Sequence, residues 1–228
     1  MRTSARIALI HAVQVAIQPV EDAFVKLWPE ARRINLFDDS LSLDRERDGE
    51  LTEMMTKRIH ALADYAFQAG ANGVLYTCSA FGEAIEAAKK KHAAPILKPN
   101  EAMFEEALAY GARVGMLATF EPSVASMQVE FEAAARAQGR RVDLQTICIP
   151  EAMAALKCGD EARHNRLLAD AALRLTGCDA LMLAHFSTSH AAAAVAEMAN
   201  CPVLTSPGSA VLRLRRAIEH ARSPALEH

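Results

Sequence analysis

The chain has 228 residues, of which 51% are hydrophobic and 23% charged, and its formal net charge is −3. That length suits one large domain or two small ones, and the balanced charge excludes the electrostatic bias of a nucleic-acid-binding or membrane-surface protein. Apolar runs fall far short of a bilayer span and no signal-peptide pattern follows Met1, so a cytoplasmic location is expected.

In chain order, residues 6–10 read as a first strand ending at His11, and a helix from Gln18 to Trp28 follows, with Pro19 near its start. Residues 34–37 suggest a second strand. The charged stretch from Asp44 to Glu50 reads as a solvated loop. A helix spans 51–69 and stops at Gly70. Residues 73–76 are a β-favouring run that ends at Thr77–Cys78–Ser79–Ala80–Phe81–Gly82, where a helix to about Lys91 begins. After a short strand at 95–97 and a helix from Glu101 to Ala109, the same order returns. It comprises a strand at 113–118, a helix from Glu121 to Gln138, a strand at 142–147, a helix or turn at 151–156 and a helix at 160–175. A strand at 180–184, a helix through Ala199, a strand at 203–204 and a helix from about Ser209 to His220 complete it. Strands alternating with helices predict parallel sheets. Leu226–Glu227–His228 reads as the start of an expression tag.

An internal repeat organises the chain. Displaced by 107 positions, residues 6–10 fall on 113–117, Gly70 on Gly177, Pro95 on Pro202, and Cys78 on His185. The expected architecture is α/β, with two similar parallel-sheet lobes related by pseudo-two-fold symmetry and an active site in the cleft between them. Cys78 and His185 would then enter one cleft from opposite sides, each at a strand's carboxyl end, where open α/β sheets bind ligands. A purely structural role for either residue is the alternative, since free cysteines are commonly buried and a histidine can be satisfied by local hydrogen bonds.

Five cysteines (Cys78, Cys148, Cys158, Cys178 and Cys201) form no C-x-x-C pair and read as neither a disulfide framework nor a zinc pattern; most are expected simply to pack. There is no dinucleotide fingerprint, Walker loop, H-E-x-x-H or G-x-S-x-G, so neither a cofactor nor a metal is expected. Thr119 offers a hydroxyl beside a helix N-terminus, a position suited to a carboxylate or to plain capping. Hydroxyls crowd the helix start at Ser187–Thr188–Ser189, and His11 is a further polar group at a strand end.

The segments Thr77–Cys78–Ser79–Ala80–Phe81–Gly82 and Leu183–Ala184–His185–Phe186–Ser187, with Pro95–Ile96–Leu97 and Pro202–Val203–Leu204, resemble the aspartate/glutamate racemase superfamily over nearly the whole chain. That resemblance implies cofactor-independent chemistry between two lobes, divided as residues 1–98 with 207–228 and residues 99–206, the C-terminal helix returning to the first lobe. Its members include amino-acid and hydantoin racemases, maleate isomerase and arylmalonate decarboxylase. In the racemases a cysteine from each lobe flanks the substrate's α-carbon. Cys78 matches the first of these positions, and His185 stands at the second. The decarboxylases work with one cysteine, placed in the second lobe.

The expected activity is that of an isomerase or lyase at the carbon next to a carboxylate, with Cys78 as acid/base and His185 as partner acid. Thr119, Ser79, Ser187, Thr188 and His11, with the backbone N–H of Ala80, are expected to hold the substrate's carboxylate. A helix N-terminus and a nearby imidazolium lower a thiol's pKa, and both influences are expected at Cys78. The alternatives are nucleophilic addition of Cys78 to an unsaturated diacid, decarboxylation, and a carboxylate-binding protein without catalysis. Phe81, Phe120 and Phe186 would line an apolar pocket or belong to the core. A homo-oligomer, dimer or higher, is the expected assembly.

Overall fold

Short runs of Val, Ile, Leu, Ala and Met that are apolar on both faces can only be buried strands, and here they build two sheets. The structure, a computed structural model, describes residues 4–222, without the side chain of Arg222. The tag-like Leu226–Glu227–His228 and the outer ends of the expected first lobe lie outside these residues.

The first half contains β1 (Arg6–His11), α1 (Ile17–Leu27), β2 (Arg32–Phe37), α2 (Ser40–Asp48), α3 (Glu53–Gln68), β3 (Gly73–Tyr76), α4 (Gly82–Lys89) and β4 (Ile96–Leu97). The second contains α5 (Glu101–Tyr110), β5 (Arg113–Ala118), α6 (Val124–Ala137), β6 (Asp143–Cys148), α7 (Pro150–Lys157), α8 (Glu161–Ala172), β7 (Ala180–Leu183), α9 (Ala192–Met198), β8 (Val203–Thr205) and α10 (Ser206–Arg222). Each half forms a four-stranded parallel sheet, in the orders β2-β1-β3-β4 and β6-β5-β7-β8.

The repeat holds at the level of register. Ile7 pairs with Gly73 as Val114 pairs with Ala180, and Val74 pairs with Ile96 as Leu181 pairs with Val203. Only the first crossover differs: Ile7 meets Arg33, whereas Val114 meets Leu144, so the second lobe's crossover is four residues longer. The loops before β3 and β7 match as well. Gly70 and Gly177 take φ of +81° and +73° beside the Arg6 and Arg113 guanidinium groups, and the backbone N–H of each arginine donates to Asn72 or Asp179. A left-handed residue ends each turn, and glycine holds that conformation without a steric penalty.

Apolar layers cover both faces of each sheet. On one face of the first sheet, Ala210, Val211, Leu214 and Ile218 of α10 join Ile7, Leu9 and Phe24. The end of α10 nearer the second sheet is fixed by a hydrogen bond from Ser206 Oγ to Asn100 Oδ1, 2.6 Å long. This helix starts earlier than the sequence suggested, because Pro207 is compatible with a helix's first turn.

The expected solvated loop at 44–50 is a helix, α2, over most of its length. Leu41 in its first turn is fully buried, Arg58 of α3 binds Asp38 and Asp44 at 2.5 and 2.6 Å, and Gly49 ends it at φ +70°. A helix that is charged nearly all round shows little hydrophobic periodicity, so its tertiary ties rather than its pattern hold it. This correction matters because α2 overhangs the site.

Candidate functional site

Strand order in each sheet reverses direction between its two central strands, β1 and β3 or β5 and β7. The chain therefore leaves their carboxyl ends in opposite directions and opens a crevice there. The two crevices face one another. Between them lies a cavity of about 30 Å³, lined by residues of both halves, room for about two water molecules as the side chains stand. From the first half come Val13, Ala16, Thr77 and Cys78 at strand ends and Ser42 and Glu46 on α2; from the second, Phe120, His185, Phe186 and Ser187 at strand ends and Met153 and Lys157 on α7.

Two phenylalanines knit the walls together. Phe186, from the second half, is buried in the cluster around α1 and α10, and Phe120 packs against the cluster beneath α2 and α3. Phe81, in contrast, belongs to the first lobe's core, at 1% exposure. Phe120 and Phe186 thus meet the expectation of an apolar pocket wall, and Phe81 does not.

Cys78 precedes the tight turn Ser79–Phe81 that leads into α4. Its residue borders the cavity, but its thiol sits among apolar groups, and burial pushes it up to about 11 against the weaker opposing effects of the Ala80 N–H and the Arg45 charge. This overturns the expected lowering. The helix-end N–H and a cation are both present, yet desolvation of a thiolate outweighs them. At neutral pH the group is a thiol.

His185 is held by its own half. The Thr119 backbone N–H donates to Nδ1 at 3.2 Å, and the Thr119 hydroxyl lies 3.3 Å from the same atom. Ser123 Oγ donates to the Phe120 carbonyl at 2.8 Å and lies 2.9 Å from Nε2. With its own proton committed, the Ser123 oxygen accepts from Nε2–H, and the imidazole is neutral with both nitrogens engaged. Burial lowers its pKa to about 4. The expected nearby imidazolium is therefore absent.

The other expected site residues separate into two groups. Ser187 lines the cavity, Ser79 Oγ is buried without a partner among the described residues, and the Ala80 N–H reaches the Cys78 sulfur. Thr119 is engaged with His185. Thr188, fully buried, donates to the His185 carbonyl at 2.6 Å and accepts from the His185 N–H at 3.1 Å. His11 is equally buried and is directed at Thr77 Oγ1, 2.9 Å away, and Asn35 Oδ1, 2.8 Å away. Burial lowers its pKa too. Thr119, Thr188 and His11 thus support the walls of the site rather than present free groups to a ligand.

Sequence reasoning missed the cations. Arg45 of α2 is 8% exposed, and it bridges the halves by donating from Nε to the Ala80 carbonyl at 3.4 Å and from Nη2 to the Pro122 carbonyl at 3.2 Å. Its Nη1 is buried without a partner among the described residues. Lys157 of α7 lines the cavity itself. Arg45 was hidden inside the stretch read as a loop; a helical projection of 41–48 placing Leu41 and Arg45 on one face was the available signal. Ser123 was likewise read only as part of a helix start. Among the described residues, no group of three or more His, Cys, Asp or Glu side chains is arranged to hold a metal ion, and no helix is long and apolar enough to cross a membrane.

Comparison with solved structures identifies the architecture. Glutamate racemase from Bacillus anthracis superposes with a TM-score of 0.76 at 13% identity, over 97% of this chain and 84% of that one. The chain shares the two-lobed α/β fold of that racemase. Aspartate racemase from Picrophilus torridus matches at TM-score 0.72 and 14% identity over 95% of each chain. A mutant of arylmalonate decarboxylase matches at 0.64 and 17% over 97% of each. No family model matches the chain, and no curated protein matches it in sequence.

Proposed function

We propose that the protein is a cofactor-independent isomerase or lyase acting at the carbon next to a carboxylate, with Cys78 as its acid/base. The observation that carries this reading is a single thiol at the wall of a two-lobed cavity, within reach of an N–H donor and beside an arginine that lacks a carboxylate partner. Solved proteins of the same fold include racemases and a decarboxylase. The lobes are taken as residues 1–98 with 207–228 and residues 99–206.

Within that class the site favours one-sided chemistry. A thiol pushed to about 11 stays protonated at neutral pH, so it does not act as a base there but holds a proton for a more basic enolate, and a histidine lowered to about 4 with both nitrogens engaged does not supply a second proton from the opposite face. Loss of carbon dioxide from a substituted malonate requires no base. The C–C bond to one carboxylate breaks, its electron pair becomes an enolate, and Cys78 transfers its proton to the carbon; water then restores the thiol. Ser187 of the cavity wall, with Arg45 Nη1 and Ser79 Oγ, which have no partner among the described residues, would hold the remaining carboxylate as negative charge moves onto it. His185, Thr119, Ser123 and Thr188 act as a rigid wall.

A second reading rests on the two cations. Lys157 in the cavity wall and Arg45 buried beside Cys78 suit a substrate with two carboxylates, to whose double bond a Cys78 thiolate would add. Proton NMR in D₂O with wild type and Cys78→Ala, against amino acids, hydantoins, aryl-malonates and unsaturated diacids, tests both. Decarboxylation or α-proton exchange by wild type alone supports the first reading, and a covalent adduct on Cys78 supports the second. Ligand binding without turnover, unchanged in Cys78→Ser, would replace both with a carboxylate-binding protein.

A further inference from the structure

At the amino ends of β7 and β8, remote from the carboxyl-end cavity, two cysteines share a pocket of about 90 Å³ with Leu175, Gly177, Met198 and Asn200. Both Cys178 and Cys201 are free and partly exposed, and both pack against the same apolar layer on one face of the second sheet. Leu181 pairs with Val203 in parallel register, and the Leu181 N–H donates to the Pro202 carbonyl at 2.9 Å, so the pairing persists to the residue after Cys201. Cys178 and Cys201 lie just before their strands, outside the ladder, so strand alternation does not set them on opposite faces; one pocket and one apolar layer receive both, and a charged Cys201 is close enough to act on Cys178.

We propose that Cys178 and Cys201 form a reversible disulfide when the protein meets a low-molecular-weight disulfide oxidant. In the reduced form the Cys178 sulfur rests toward β5, where a Cβ on Gly115 would come within 3.2 Å of it. A turn about its Cα–Cβ bond brings it toward Cys201. Cys201 therefore reacts first. Its thiolate attacks the oxidant, whose S–S bond breaks and releases one small thiol, leaving a mixed disulfide on Cys201. The Cys178 thiolate then attacks the Cys201 sulfur, the protein S–S bond forms, and the second small thiol departs. The two protons lost by the cysteines leave on the two small thiols, and the protein's two electrons reduce the oxidant. Burial raises both thiols above their ordinary value, and a charged Cys201 raises Cys178 further. The pair is thus inert in a reducing cytoplasm and responds only under oxidation. The link would close a loop that carries His185, Phe186 and Ser187 of the cavity wall.

The whole protein, reduced and then incubated with glutathione disulfide and quenched with N-ethylmaleimide, provides the test. Cleavage after Arg174 and Arg213 leaves both cysteines in one peptide, 175–213, with no other cysteine. The expected product is that peptide lighter by two hydrogens and free of maleimide, and a second cleavage at Asp179 and Glu197 leaves its ends joined. The oxidised protein should melt several degrees higher, because the link restrains the unfolded chain. Cys178→Ser should stop at glutathione on Cys201. Maleimide on both cysteines, or glutathione persisting on wild-type Cys201 at saturating oxidant, would overturn the proposal without recourse to any variant.

Discussion

His185 lines the cavity at the position equivalent to Cys78, and its protonation can be read through stability. In the fold its pKa is about 4, held down by burial, whereas in the unfolded chain it takes the ordinary value of about 6.5. Above that value neither state binds the proton. As pH falls below it the unfolded chain gains a proton that the folded site refuses, so stability declines, and the full loss is reached below the folded value. At pH 4.5 the linkage amounts to about 2.5 kcal/mol. His11 and His164 are also lowered by burial and contribute in the same direction, so the measurement must be a difference. His185→Asn leaves an acceptor near the Thr119 N–H and removes the titration. Urea denaturation of both proteins at pH 7.5 and 4.5 should show wild type losing about 2.5 kcal/mol more than the variant across that interval. Equal losses would refute the neutral imidazole and restore His185 as a proton donor.

Four further outcomes follow from the same geometry. Cys78→Ala should lower turnover by about a hundredfold or more, with an unchanged circular dichroism spectrum. Alkylation of Cys78 by iodoacetamide should be slow at pH 7 and rise about tenfold per pH unit toward its raised value of about 11; a plateau near pH 8 would contradict the desolvated thiol. Arg45→Met should leave urea stability unchanged or raised by about 1–2 kcal/mol, since a buried cation without a carboxylate partner is costly, while dicarboxylate affinity measured by calorimetry falls about tenfold or more. Gly82→Ala should cost about 1–3 kcal/mol. The added Cβ would come within 1.7 Å of Glu130 Oε1, and that carboxylate is pinned by Lys98 at 3.0 Å; Glu130→Ala in the same chain should recover most of the loss in thermal melting.

The fold was legible where burial dictates the sequence. Strands covered on both faces have to be apolar throughout, so residues 73–76 and 180–183 announced themselves, and the repeat supplied their pairing. α2 was illegible for the opposite reason: its nine residues, Ser40–Asp48, are mostly charged or polar, and they are ordered by Arg58 and by the inter-lobe reach of Arg45. Contacts of that length leave no local pattern. Within the site, the sequence located strand-end polar groups but not where each hydrogen bond goes. Thr119, Thr188 and His11 looked like ligand contacts because nothing in a sequence shows that a hydroxyl or imidazole is already committed to a neighbour 66 positions away, as Thr119 and His11 are.

That commitment explains why the two lobes are unlike at equivalent positions. Each lobe ties its central strand ends together with one threonine and one histidine: His11 with Thr77 in the first, Thr119 with His185 in the second. By the repeat, the first pair corresponds to Ala118 and Ala184, so the second pair sits one residue further along both strands. A single step along a strand end turns the side chain from the sheet's interior toward the crevice. In the first lobe the tie is therefore made one residue earlier, with Thr77 at the cavity's edge, and the next positions are Ala12 and Cys78. Alanine offers no hydrogen bond, so the thiol is left free to act. In the second lobe the tie itself occupies the cleft positions, and the imidazole is spent on holding the wall. The chemistry proposed for this protein is one-sided because a structural pair has moved by one residue in one lobe. Moving it back, with Thr119→Ala, His185→Cys, Ala118→His and Ala184→Thr together, should give the second lobe a free thiol and let α-proton exchange proceed from both faces. Exchange with retention only, in a variant of unchanged fold, would place the cause of one-sidedness elsewhere.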